Sequence, residues 1–328
     1  MVVSNHLPVP ADRMAAAQRA AAGFIEASQA AATRKGYASD WRDFEGWCAA
    51  AGAVSMPADP LTVAAYVSHL ASNGRKIATV KRRCAAIGYF HKRWQGVSGE
   101  TVRNDRNYSN PIQHPGVKAT LAGITRQLGA APMKKAALTA DLVAKAVRKI
   151  PTDVLGLRDR ALLLLGFAGA FRRSELVALD VADIERHPKG LIVHLRRSKT
   201  DQAGEGKIKA IPHGRRLRAV EAIDAWLAAA GISEGPLFRA VIPGGIAPGR
   251  LAPQRVARIV KRRSKAIGLE PKLFSGHSLR SGFITSAADH GASLAAIAKH
   301  AGHEKLDTTM GYVQVADAFR DHSGKGFL

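Results

Sequence analysis

The chain has 328 residues, with 49 Lys or Arg against 26 Asp or Glu, for a formal net charge of +23. That length suffices for two domains with separate cores, and the charge points to a polyanion, most simply nucleic acid, because it exceeds what solubility needs. No apolar run reaches the roughly 18 residues of a membrane span, and the start lacks a signal peptide; with only Cys48 and Cys84 present, this predicts a cytoplasmic, membrane-free protein with neither a disulfide framework nor a zinc site.

Residues 1–14 read as a lead-in, and from about Ala15 to Leu128 nearly everything reads as helix. From Thr33 to Ala50, Tyr37, Trp41, Phe44 and Trp47 or Cys48 recur at intervals of three and four, a stripe that predicts a helical core rather than a base-stacking platform. Pro57 to Pro60 is a turn, and Leu61 to Ala71 is a second helix that stops near Asn73 and Gly74. The third helix, Ala78 to Trp94, puts Val80, Cys84, Ile87, Phe90 and Trp94 on one side. Its Lys81, Arg82, Arg83, Lys92 and Arg93, with Lys76 just ahead, are unbalanced by carboxylates in the helix and form the predicted DNA-facing surface of this half. Gly88 interrupts it at a cost of about 1 kcal/mol relative to alanine. A last helix of this half runs from about Pro115 to Leu128.

Residues 129–138, with small residues, one proline and the basic Lys134 and Lys135, are the predicted linker. Beyond them, 139–328 reads as a second domain. Thr139 caps a helix, and Ala161 to Phe167 is apolar enough to be buried on most sides. It leads into Arg172 and Arg173, of which Glu175 can neutralise one and leave the other for a phosphate. A small antiparallel sheet follows: Asp183–Ile184, a turn at 187–190, a strand from Leu191 to Leu195 and another from Lys207 to Ile211. Lys199 lies in the connection between the last two strands, with Lys207 and Lys209 as its competitors for a role at a neighbouring site. Arg215 to Ala230 is an amphipathic helix ending at Gly231; Leu251 to Ile267 is another, whose Arg255, Arg258, Lys261 and Arg262 are a second candidate DNA contact.

The stretch from Ser275 to Tyr312 has the densest chemistry. His277 and Arg280 share a helix face by their spacing; Gly291 stops that helix, Ser293 caps the next, Gly302 stops it, and His303 and Tyr312 follow. A guanidinium, two imidazoles and a phenol are enough to hold a phosphodiester and attack it without metal. His300 and His303 are three apart, but no carboxylate or cysteine clearly completes a metal set.

Taken together, RRSEL at 172–176, SKT at 198–200, HSLR at 277–280, AGH at 301–303 and TTMGY at 308–312 resemble the tyrosine recombinase (phage integrase) family in order and spacing. The resemblance covers about Thr139 to Phe319, and the helical half looks like that family's core-binding domain, in a Cre-like layout. It implies a two-domain fold, mainly α with a small antiparallel sheet in the catalytic domain. It also implies a site-specific recombinase with no cofactor, acting on duplex DNA at an inverted-repeat site as a homotetramer on two sites, in the cytoplasm at the nucleoid. Strands would exchange through a Holliday junction.

By the same resemblance, Tyr312 attacks the scissile phosphate to form a 3′-phosphotyrosine, so rejoining needs no ATP. Arg172 and Arg280 clamp the non-bridging oxygens, His303 adds a hydrogen bond, and Lys199 protonates the departing 5′-oxygen. Glu175 supports the site. His277 has two open roles, base toward Tyr312 or phosphate donor, and a shifted register would put Arg173 in place of Arg172. Two rival functions use similar features: a type IB topoisomerase-like relaxing enzyme and a DNA-binding regulator without catalysis.

Overall fold

The computed structural model describes residues 11–27, 30–98, 110–129, 135–196, 206–303 and 309–310. Its contacts divide the chain into two compact units, Met1–Pro132 and Met133–Leu328.

In the first unit the helices are α1 (Ala11–Ala27), α2 (Ala31–Ala50), α3 (Pro60–Ser72), α4 (Ile77–Ser98) and α5 (Pro115–Leu128). The aromatic stripe of α2 turns inward: Trp41, Phe44 and Cys48 join Val63, Tyr66 and Val67 of α3 and Val80, Cys84 and Ile87 of α4 in one core. Trp41 stacks on Phe90 at 4.9 Å. Asp59 caps α3 by accepting from Leu61 N–H at 2.7 Å. Gly88 is explained by a close approach: a Cβ there would lie 3.2 Å from the Asn110 side chain.

The basic face expected on α4 needs correction. Although the helix carries no carboxylate of its own, α2 brings two to it. Arg83 bonds Asp43 at 2.6 Å and the Tyr66 hydroxyl at 3.2 Å, and its side chain is only 11% exposed. Arg82 reaches Asp40 at 3.0 Å but stays 53% exposed. Arg83 is therefore a structural cation, whereas Lys76, Lys81 and Lys92 face solvent. The side chain of Arg93 lies outside the described residues.

The second unit begins with α6 (Ala140–Arg148), α7 (Val154–Ala168) and α8 (Arg173–Ala178). The second half of helix α7 is apolar on every side because it forms the centre of the unit: residues 161–165 and Phe167 are buried against α9 (Ala219–Ala230), α8 and α11 (Ser278–Asp289). Strands β1 (Ile184–His187), β2 (Gly190–Leu195) and β3 (Lys207–Pro212) form an antiparallel sheet in that order, with Val193 opposite Lys209. Among the described residues the remaining strands and α-helices are β4 (Arg239–Ile242), β5 (Gly245–Arg250), α10 (Pro253–Ala266) and α12 (Leu294–Ala301).

Two helix starts in this unit differ from expectation. Helix α9 starts at Ala219 rather than Arg215 because 214–218 make a tight turn, in which a Cβ on Gly214 would sit 2.2 Å from Leu217 O. Helix α10 starts at Pro253, since Leu251 is engaged as an extended residue, donating to Phe238 O at 2.8 Å. The β4–β5 hairpin was not expected at all; its signal was Gly244–Gly245, both at positive φ, between apolar residues. Among the described residues no helix is long and apolar enough to cross a membrane.

Candidate active site

Elements of the second unit bring Arg172, Glu175, His277, Arg280 and His303 to one place. Arg172 leaves the turn between α7 and α8. Its Nη1 donates to Glu175 Oε1 at 2.7 Å, its Nη2 points at Gly302 O at 3.4 Å, and Glu175 Oε2 accepts the Arg172 backbone N–H at 2.9 Å. Glu175 is thus the partner of Arg172, while Arg173 is exposed on the first turn of α8.

Arg280 lies on α11 and is 1% exposed, with Nη1 donating to Ala170 O at 2.8 Å. A charge so buried is stable only when acceptors or an anion meet it. Helix α11 is itself pressed against the extended segment ahead of α6: Leu138 N–H donates to Ser278 O at 2.9 Å, and a Cβ on Gly282 would lie 1.9 Å from Leu138 O. Glycine at 282 lets the helix that carries Arg280 approach this closely.

His277 sits at the N-cap of α11 and is accessible to solvent. Desolvation by the surrounding protein, followed by Arg280 and Arg172, lowers its pKa. His303 follows α12, which Ser293 caps by accepting from Ala296 N–H at 3.2 Å. Gly302 turns left-handed at φ 70° and His303 N–H donates back to Ala298 O at 2.9 Å, a glycine C-cap that aims the next side chain out of the helix. The His303 ring is oriented by a 2.8 Å hydrogen bond between Nδ1 and Thr309 Oγ1. Burial first, then Arg280, Arg172, His277 and Lys209, push its pKa down to about 4. Contacts bring these residues together: Arg172 Nη2 points at Gly302 O beside His303, Arg280 Nη1 holds Ala170 O two residues before Arg172, and the neighbourhood is rich in cationic donors with Glu175 as a buried counter-ion.

Lys209 was only a competitor in the sequence, yet it is in this cluster. It is 7% exposed on β3, donates from Nζ to Gly169 O at 2.8 Å, also donates to His300 O, and lies 5.3 Å from the centre of the Phe171 ring. Its pKa is pulled down to about 8 by burial, then by Arg280. Lys207 is exposed. Lys199, Tyr312 and Lys134 lie outside the described residues. His300 is engaged by the α7–α8 turn: its Nε2 meets Ala168 O at 2.8 Å. Among the described residues no group of His, Cys, Asp or Glu is placed to hold a metal ion.

The basic residues of α10 are divided in their engagement. Arg255, Arg258 and Arg262 line a cavity of about 320 Å³ with Arg158 and the β4–β5 hairpin. Arg262, 47% exposed, is tied to the fully buried Asp159, which Arg158 and Arg263 also hold, at 2.7 and 2.6 Å. Arg255, Arg258 and Lys261 are exposed. Lys135 is exposed and donates to Lys272 O at 2.7 Å.

A cluster of guanidinium and imidazole donors around one buried carboxylate is suited to grip a phosphodiester and stabilise the charge that builds up on it during displacement. Comparison with known proteins bears on this chemistry. The model of the phage integrase family matches residues 136–318. The integrase/recombinase xerD homolog of Selenomonas ruminantium is 37% identical over 303 residues, covering 91% of this chain and 86% of its own. Tyrosine recombinase XerD of Caulobacter vibrioides is 29% identical over 308 residues, covering 91% and 90%. Among solved structures, the XerH site-specific recombinase bound to difH substrate in a pre-cleavage complex superposes with TM-score 0.59 at 16% identity, covering 80% of this chain and 70% of that one. The Tn1549 transposon integrase in complex with transposon right end DNA gives 0.58 at 16% identity, covering 87% and 89%. At such identities the structural likeness is one of fold.

Proposed function

The chain belongs to the phage integrase family, whose model spans more than half of it, and from that premise we infer that it is a site-specific tyrosine recombinase, which cleaves and rejoins duplex DNA. The observation that carries this reading is the meeting of Arg172, Arg280, His277 and His303, from segments over a hundred residues apart, in one neighbourhood.

The reaction follows from the donors. Arg172 and Arg280 hold the non-bridging oxygens of the scissile phosphate with planar, permanently charged forks, and His303 adds a neutral N–H donor. The Tyr312 phenol has an ordinary pKa of about 10 and needs its proton removed during attack. His277, held neutral, is the acceptor assigned here. Tyr312 Oη forms a bond to phosphorus as the bond to the 5′-oxygen breaks, and Lys199 supplies the proton that oxygen takes up. The phosphotyrosine keeps the bond energy, so attack by a 5′-hydroxyl reverses the step without ATP. Tyr312 and Lys199 are assigned on motif position.

The helical unit and the exposed cations of α10 hold the duplex, chiefly through phosphate contacts. The assembly is a homotetramer on two inverted-repeat sites with a Holliday junction between strand exchanges, working on the chromosome in the cytoplasm. Replacing Tyr312 by Phe tests the reading: DNA binding persists and covalent protein–DNA adducts vanish, whereas adducts that survive in Tyr312→Phe sink it.

A further inference from the structure

The turn between α7 and α8, which launches Arg172, is held by three side chains on three consecutive carbonyls. His300 Nε2 meets Ala168 O at 2.8 Å, Lys209 Nζ donates to Gly169 O at 2.8 Å, and Arg280 Nη1 donates to Ala170 O at 2.8 Å. Because a carbonyl can only accept, Nε2 of His300 carries the hydrogen. The turn requires such support. Ala170 has φ 46°, a left-handed conformation that a residue with Cβ adopts only under constraint. Gly169 is folded so tightly over the Phe171 ring that a Cβ there would lie 2.0 Å from it.

Arg280 already has work at the phosphate. Lys209 and His300 have none in the reaction above, yet both are placed with care. Nζ of Lys209 also donates to His300 O, so one ammonium joins β3, the end of α12 and the turn. The His300 ring packs on Phe283 with centroids 4.6 Å apart. An ammonium this buried persists only because acceptors surround it, and both of its carbonyl partners lie close in sequence to a predicted phosphate ligand: Gly169 precedes Arg172, and His300 precedes His303.

We propose that Lys209 and His300 are positioning residues that lock the 168–170 turn onto α12 and so fix Arg172 and His303 relative to each other at the scissile phosphate. The inference rests on the recombinase reading above. Its rival is that Lys209, which lines a cavity with His303, itself protonates the leaving group.

The test compares full-length wild type, Lys209→Met and His300→Phe in single-turnover adduct formation. One duplex carries an ordinary scissile phosphate, the other a 5′-bridging sulfur whose thiolate leaves without a proton. Both variants are expected to bind DNA as wild type does and to reach the same adduct amplitude. Their saturating cleavage rate falls by about tenfold to a hundredfold, the range for a misplaced group, equally on both duplexes. A Lys209→Met defect that disappears on the sulfur duplex makes Lys209 the acid and overturns the proposal. So do wild-type rates in both variants, or losses confined to affinity or amplitude. If Lys209→Met does not fold, His300→Phe decides by the same criteria. A wild type that forms no adduct overturns the recombinase reading together with this inference; an active wild type with unaffected variants overturns the inference alone.

Discussion

Glu175 grips Arg172 from two sides, accepting the backbone N–H at 2.9 Å with one carboxylate oxygen and Nη1 at 2.7 Å with the other. The pair fixes both the start of α8 and the direction of the guanidinium. Glu175→Gln keeps the shape and one acceptor but removes the charge that matches a mostly buried arginine. Stability in urea should fall by about 1–2 kcal/mol, the scale of a hydrogen bond to a charged group. Cleavage should slow by about tenfold as the clamp loosens, while DNA affinity changes little. A cleavage rate equal to wild type would show that Glu175 does not orient Arg172.

In the proposed reaction Arg280 serves Ala170 O, which it already holds, and a phosphate oxygen as well, from a position 1% exposed. A planar fork spans two acceptors in fixed directions; an ammonium on a flexible stem does not. Arg280→Lys should therefore lower the cleavage rate by about 10²–10³, the value of one preorganised charge-stabilising donor. Gel-shift affinity should hold, since many phosphate contacts share the binding. Proportional losses of affinity and rate would move Arg280 from the reacting phosphate to general binding.

The histidines make the site sensitive to acid. His303 is held down to about 4 and His277 is also lowered, so both rings are neutral at pH 7. For a histidine depressed in the folded state, protonation favours the unfolded chain. Stability from His303 is full above the unfolded value of about 6.5 and is lost as pH falls from there toward its folded value near 4; His277 acts in the same direction. A bound phosphodiester adds a negative charge that favours the imidazolium, so DNA binding near pH 6 should take up protons. Calorimetry in buffers of different ionisation enthalpy measures that uptake, and His303→Gln should reduce it. Binding without proton uptake in wild type would place the phosphate away from His303.

Local chemistry made part of this legible in the sequence. Ser293, Gly231, Gly291 and Gly302 cap or end their helices because capping depends on the nearest few residues. The apolar 161–167 run had to be a central helix for the same kind of reason. What could not be read was set by distance along the chain. The carbonyls that capture Lys209 and His300 lie 40 and 132 residues upstream. The carboxylate that removes Arg83 from the exposed basic surface of α4 lies 40 residues before it on another helix. A count of charges along α4 alone sees a uniform basic face; only packing against α2 divides it.

That division separates stability from binding within one helix. Arg83 is wedged between Asp43 and the Tyr66 hydroxyl, near Asp40, whose pKa burial raises while Arg82 and Arg83 hold it down. Arg83→Ala leaves these acceptors partly unmatched and should cost about 1–3 kcal/mol of stability, with DNA affinity nearly unchanged once the protein is folded. Lys81 and Lys92 are exposed on the same helix. Lys81→Ala and Lys92→Ala should leave the urea midpoint in place but weaken binding on any sequence, each reducing the slope of log affinity against log salt by about 1. A gel-shift series across salt concentrations, paired with urea melts of all three variants, separates the roles. An Arg83→Ala protein of wild-type stability with a reduced salt slope would return Arg83 to the DNA-binding surface.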